Sequence, residues 1–205
     1  MKQRTKIISL AAVAAALAGC ATMAPDYDKE SMALMKRDFK TRGQATLSRL
    51  DQDELQATCS ALSGAHPPKD VAQRLEAGQQ ALIKYPSNGI LLGDWTKAEA
   101  IAQMGQGGQW SDDPKKPSGG NCYACHQLTR KEISYGNIGP SLYNYGKTRG
   151  NSPEVQKYTY SKIYNSQAFA ACSNMPRFGH NGVLTEAQIK DLVAFLLDPK
   201  SPVNQ

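Results

Sequence analysis

Cys122-Tyr123-Ala124-Cys125-His126 constrains this chain more than any other stretch. Two thiols two residues apart, with a histidine directly after, form the attachment site of a c-type haem. Each thiol can add to one porphyrin vinyl group, and the short spacer brings both sulfurs to one edge of the ring. The histidine then lies beneath the iron and can supply an imidazole nitrogen as axial ligand. A site of this kind serves single-electron transfer. A structural zinc would need four ligands, and no second CxxC or CxxH pair exists. A thioredoxin-like pair belongs at a helix start in a βαβ pattern. The flanking Gly119-Gly120-Asn121 and Gln127-Leu128-Thr129 do not suggest one.

The N-terminus speaks to compartment. Lys2, Arg4 and Lys6 form a positive segment, and Ile7 to Ala18 is an apolar run too short to span a bilayer as a mature helix. The run ends in Leu17-Ala18-Gly19-Cys20, which looks like a bacterial lipobox. Residues 1–19 are then a lipoprotein signal peptide, and the Cys20 sulfur receives diacylglycerol. Several acyl chains on one residue anchor stably, whereas one is marginal. An ordinary signal peptide cut nearby at an Ala-x-Ala site is the alternative. Either way the expected compartment is the periplasm, and with Cys20 lipidated the lipid anchor is the sole membrane attachment.

Export suits the haem site, because bacterial haem attachment occurs outside the cytoplasm on reduced thiols. Five cysteines then divide by role. Cys20 takes lipid, Cys122 and Cys125 take haem, and Cys59 and Cys172 remain. Two leftover cysteines in an oxidising compartment suggest a disulfide, with two buried free thiols as the alternative. The formal net charge of +6 falls to +3 once Lys2, Arg4 and Lys6 leave with the leader. Such a mild balance can steer an acidic partner. It does not indicate nucleic acid, since no basic stripe with interleaved aromatics occurs.

Periodicity predicts an all-α chain. Residues 20–29 form a polar tether, and 30–88 a helical N-terminal extension in which Met32, Met35 and Phe39 recur at helix spacing. Asp51 is expected to cap a helix with Glu54 in a capping box and a Leu50–Leu55 staple. Leu55, Cys59 and Leu62 share its inner face, and Gly64 ends it. Pro67-Pro68 opens a second helix with Val71, Leu75, Gly78 and Leu82 as its buried stripe. Residues 89–205 form the second domain. Asp94 is expected to cap a helix carrying Ala98, Ile101, Ala102 and Gly105 on one face, and Gln106 to Gly120 reads as a surface loop. A helix from Pro153 to Ser166 has Val155, Tyr158, Ile163 and Tyr164 as apolar positions. The last helix is the clearest. Thr185 caps it, Gln188 completes the box, Leu184 staples to Ile189, and Ile189, Leu192, Val193 and Leu196 line one face up to Asp198-Pro199.

The order of helix, CxxCH, Gly139-Pro140, methionine loop and terminal helix resembles class I cytochrome c. In that family the first and last helices cross closely, so Gly105 is expected to face Phe195. The sixth iron ligand is expected in Cys172-Ser173-Asn174-Met175-Pro176-Arg177-Phe178-Gly179. Pro176 holds Met175 in an extended backbone, and a thioether ligand raises the potential. His180 is the rival ligand. The resemblance also implies that the Pro140 carbonyl accepts from the outer N–H of His126. Arg177, Tyr143 and Tyr145 are candidates to meet the haem propionates.

Gly120 to His126, Ile138-Gly139-Pro140-Ser141-Leu142 and the Met-Pro-Arg-Phe-Gly loop together resemble the SoxX family, the monohaem cytochromes of SoxAX complexes in bacterial sulfur oxidation. The N-terminal stretch with Arg49-Leu50-Asp51-Gln52-Asp53 resembles the extension of longer SoxX chains. The resemblance implies one haem c on Cys122, Cys125, His126 and Met175. It also implies a SoxA-like haem subunit, transient contact with the carrier SoxYZ, and a small acceptor cytochrome. The complex is an L-cysteine S-thiosulfotransferase whose bond-forming site lies on the SoxA-like subunit, so this chain carries electrons and no catalytic residue. A free-standing lipid-anchored carrier and a gas sensor with a dissociable Met175 are the alternatives.

Overall fold

The computed structural model describes residues 26–205. The leader, Cys20 and the start of the tether lie outside the described residues. Among the described residues every regular element is helical, apart from one isolated bridge between Arg42 and Ala45. None of these helices is long and apolar enough to cross a membrane.

The chain divides into two compact units, one ending at Lys40 and the other starting at Thr41. The first contains helix α1, Tyr27–Asp38. The Asp26 carboxylate accepts from the Lys29 N–H at 3.0 Å and caps it. Asp28 and Glu30 in the first turn and Lys36 and Arg37 in the last complement the helix dipole. The helix buries none of its residues, and Phe39 lies beyond its end, 56% exposed.

The second unit corrects the expected division near residue 88. Helices α2, Glu54–Ala61, and α3, Lys69–Ala81, belong to the same unit as the C-terminal helices. Neither short helix can close a core alone. Leu55 and Leu75 are buried only together with Ala171, far along the chain, with Cys59, Val71 and Ala72 around them.

The start of α2 also differs from expectation. Asp53 is the cap, accepting from the Gln56 N–H at 2.8 Å while the Gln56 side chain accepts from the Asp53 N–H at 3.0 Å. Two overlapping boxes, Asp51 with Glu54 and Asp53 with Gln56, satisfy the local rule equally. The second is the one formed, and Asp53 also pairs with Arg177. Helix α2 ends at Ala61, and the chain turns through Ser63 and Gly64, both at positive φ. In α3 the buried positions are Leu75 and Gln79, whereas Gly78 is exposed and Leu82 is 46% exposed. Gln79 can turn inward because Asn165 and Arg177 both donate to its side-chain oxygen.

The C-terminal part is built around α7, Glu186–Leu197, against which α4 (Ala98–Gln103), α5 (Tyr145–Arg149) and α6 (Pro153–Tyr164) pack. Thr185 and Gln188 form the expected capping box. Ile189, Leu192, Val193, Phe195, Leu196 and Leu197 are all buried, and each such side chain contributes ~1.5–3 kcal/mol of transfer free energy. Asp94 caps a single 3-10 turn, Trp95–Lys97, that leads into α4. Ala98, Ile101 and Ala102 are buried as the spacing predicts. On α6 the inward tyrosine is Tyr160, fully buried, while Tyr158 is 41% exposed.

Gly105 does not face Phe195. Helix α4 ends at Gln103, and a Cβ on Gly105 would meet the Asn121 side chain instead. The close approach to α7 is made by Gly93. Its N–H donates to the Lys190 carbonyl at 3.0 Å, and a Cβ there would lie 2.7 Å from the Asp191 nitrogen. The crossing thus uses a backbone segment just before the 3-10 turn.

Candidate haem site

The CxxCH motif begins on a 3-10 turn, Cys122–Ala124, with Asn121 in the left-handed region at φ 46°. The preceding strand of chain is tied to α4: the Gly120 N–H donates to the Ile101 carbonyl at 2.9 Å, and Asn121 to Met104 at 3.0 Å. Between the two cysteines, Tyr123 turns into the core and its hydroxyl donates to Glu99 at 2.8 Å. This fixes the turn from inside and leaves Cys122 and Cys125 half-buried as free thiols. Burial pushes the Cys122 thiol up to about 12. It is neutral at ordinary pH and is no activated nucleophile.

The segment 136–142 runs alongside the motif. The Gly136 N–H donates to Tyr123 at 2.8 Å, Gly139 to Cys125 at 2.9 Å, and Leu142 to Gln127 at 2.8 Å. At the centre, the His126 Nδ1 lies 2.7 Å from the Pro140 carbonyl. A carbonyl only accepts, so Nδ1 is the donor, and in the neutral ring Nε2 is the nitrogen left with a lone pair. The orientation that the family resemblance implies for His126 and Pro140 is therefore present. Gly139 makes it sterically possible, since a Cβ there would come within 2.1 Å of the imidazole ring.

Met175 is half-buried and packs against the same apolar cluster as Cys122, Leu142, Tyr145 and Tyr164. The Ser166 hydroxyl donates to the Met175 carbonyl, and the Ser173 hydroxyl accepts from its N–H at 3.2 Å. Both flanks of this loop are fastened to the N-terminal helices. Cys172 forms a disulfide with Cys59, with 5.6 Å between their Cα atoms. Arg177 is buried and donates to Asp53 at 2.6 Å and to the Gln79 side-chain oxygen Oε1 at 3.2 Å.

The three residues expected to meet the propionates each have a partner within the chain. Arg177 is engaged by Asp53 and Gln79. The Tyr143 hydroxyl donates to the Gln205 carbonyl at 2.5 Å, and that of Tyr145 pairs with Thr159 at 3.2 Å. Asp53, Gln79 and Glu99 are site-supporting residues that periodicity did not reveal. The overlapping box at Asp53 was the one local signal.

Partial burial works against the Asp53 charge, yet the Gln56 N–H and the Arg177 guanidinium outweigh it and hold the carboxyl below its ordinary value. A depressed folded value means stability that is complete above the unfolded value of about 3.9 and is lost as pH falls through the folded one. Asp53→Asn keeps a capping oxygen and removes the charge. Denaturant unfolding at pH 7 should show the variant less stable than the parent, and the gap should close below about pH 4. An equal gap at pH 7 and pH 3 would contradict this pairing.

The donors fit a haem held from one edge: two adjacent thiols, an imidazole with Nδ1 already committed, and a thioether on a braced loop. An all-helical unit presenting this set is of the c-type haem class. The family model for cytochrome c matches residues 115–199. The chain is also 36% identical over 210 residues to an uncharacterised lipoprotein of Aquifex aeolicus (strain VF5), covering 98% of each chain. Residues 115–199 form a cytochrome c domain, carried on a chain related to that lipoprotein. The chain is an electron carrier whose cofactor is haem c.

Proposed function

We propose that the chain holds one haem c through Cys122 and Cys125, with His126 and Met175 as axial ligands. We further propose that it is the electron-transfer subunit of a SoxAX-type complex. The observation that carries the site is the His126–Pro140 bond, which presents Nε2 as a lone pair directly after two free thiols. Bound haem supplies a one-electron couple. The chain's own residues do the rest. Pro140 holds the imidazole and Gly139 leaves room for it, and His126 and Met175 together would leave the metal no open position for small molecules.

The Met-Pro-Arg-Phe-Gly loop and the Ile138 to Leu142 segment support the SoxX assignment. In the proposed reaction a thiol of the carrier SoxYZ and thiosulfate form a new S–S bond. The thiol proton and two electrons are released on the partner subunit. This chain takes the electrons one at a time and passes them to a small acceptor cytochrome. By its likeness to a lipoprotein, the chain is anchored through Cys20 in the periplasm. A free-standing anchored carrier is the second reading, and the internal packing of helices α2 and α3 is compatible with both.

Affinity purification from membranes separates the two. The SoxAX assignment predicts a second haem protein in the eluate, and reduction of this chain's haem when thiosulfate and the carrier are added together. A lone cytochrome that stays oxidised under those conditions would leave the free carrier.

A further inference from the structure

We infer that α2 and α3 are a clamp that positions Met175 and sets how readily the sixth iron position exchanges. The inference rests on Met175 as axial ligand. Its structural basis is the way every restraint converges on one loop. Three residues before Met175, Cys172 is covalently joined to Cys59 on α2. Two residues after it, Arg177 is held by Asp53, the cap of that same helix, and by Gln79 on α3. The Glu76 carboxylate accepts from the Ala171 N–H at 3.1 Å, and the Gln80 amide donates to the Ala168 carbonyl at 2.9 Å. Gln79 also accepts from the Asn165 amide at 2.9 Å, next to Ser166, whose hydroxyl donates to the Met175 carbonyl.

A loop pinned on one side only can swing its thioether away. Pinned covalently before Met175 and after it by an ion pair whose arginine is buried, the loop has little freedom to do so. Outer groups that orient a ligand typically change metal affinity 10- to 100-fold when removed. The extension is therefore a positioning device for the sixth ligand, and Asp53, Arg177 and Gln79 are positioning residues.

Imidazole titration of the oxidised haem protein tests the clamp, with the Met–iron charge-transfer band followed alongside. Three variants are compared: Cys59→Ala with Cys172→Ala, Arg177→Gln, and Asp53→Asn as the mild change that keeps the cap. Each should retain helical circular dichroism, bind imidazole at least tenfold more tightly than the parent and show a weakened band. Arg177→Lys should restore much of the native resistance. Folded variants with native imidazole affinity and an intact band would overturn the clamp. Met175→Ala is the separate control. If the band survives that substitution, Met175 is not the ligand and the clamp falls with it. If the band is lost in Met175→Ala yet unchanged in all three clamp variants, the clamp alone is wrong.

Discussion

Gly139→Ala should leave the haem attached to the chain but release its histidine. The added Cβ would fall 2.1 Å from His126 Cε1 and 2.5 Å from Nδ1, far inside van der Waals contact. The ring would have to leave, and the Nδ1–H bond to Pro140 at 2.7 Å would go with it. The acceptor of that bond is a backbone carbonyl, so no side-chain replacement can remove it directly. Gly139 is the available lever. The N–H of Gly139 donates to Cys125, which ties the backbone to the motif and limits how far it can yield. Loss of such an orienting partner weakens a metal ligand 10- to 100-fold. The thioether bonds do not depend on the histidine, so covalent haem content should stay at the parent level. The oxidised spectrum should change from low-spin to largely high-spin. A variant with an unchanged low-spin spectrum and parent reduction potential would show that the ring is not held in this way.

Removing the Cys59–Cys172 disulfide should cost about 4–5 kcal/mol of stability. The two residues are 113 positions apart, and closing a loop of this length restricts the unfolded chain by about that amount. The bond joins α2 to the loop before Met175, so its loss also frees one wall of the cluster of Leu55, Leu75 and Ala171. Denaturant unfolding of Cys59→Ala with Cys172→Ala, against the parent at the same pH, measures the difference. A loss below about 1 kcal/mol would mean that the ion pair and the helix packing already hold α2 without the bond. Combining the double substitution with Asp53→Asn should give a non-additive result, because both changes loosen the same helix from the same loop.

Much of the haem side of this molecule was legible in the chain itself. CxxCH, the Ile-Gly-Pro segment and the methionine loop are local, and their spacing follows from covalent chemistry. The last helix was legible for the same kind of reason. Thr185 and Gln188 form a capping box whatever lies around them. The elements misjudged were those decided by distant contacts. Asp51 and Asp53 are equivalent caps on local rules, yet Asp53 is the cap and also pairs with Arg177, more than a hundred residues away. Gln79 breaks an apolar stripe because Asn165 and Arg177 satisfy it. Tyr160 rather than Tyr158 is buried because α6 packs on α7 along that side. The crossing glycine is Gly93 and not Gly105, because α4 ends two residues short of Gly105. The extension was separated at residue 88 because hydrophobic spacing cannot show that its two helices close their core on Ala171.

The central claim is that Cys122, Cys125 and His126 hold a single haem c. Mass spectrometry of the protein purified from a host that attaches haem in its periplasm tests it most directly. The account predicts one added haem mass per chain, carried after proteolysis by the peptide that contains Cys122 and Cys125. An intact chain without haem, with both of those thiols free to alkylation, would contradict it.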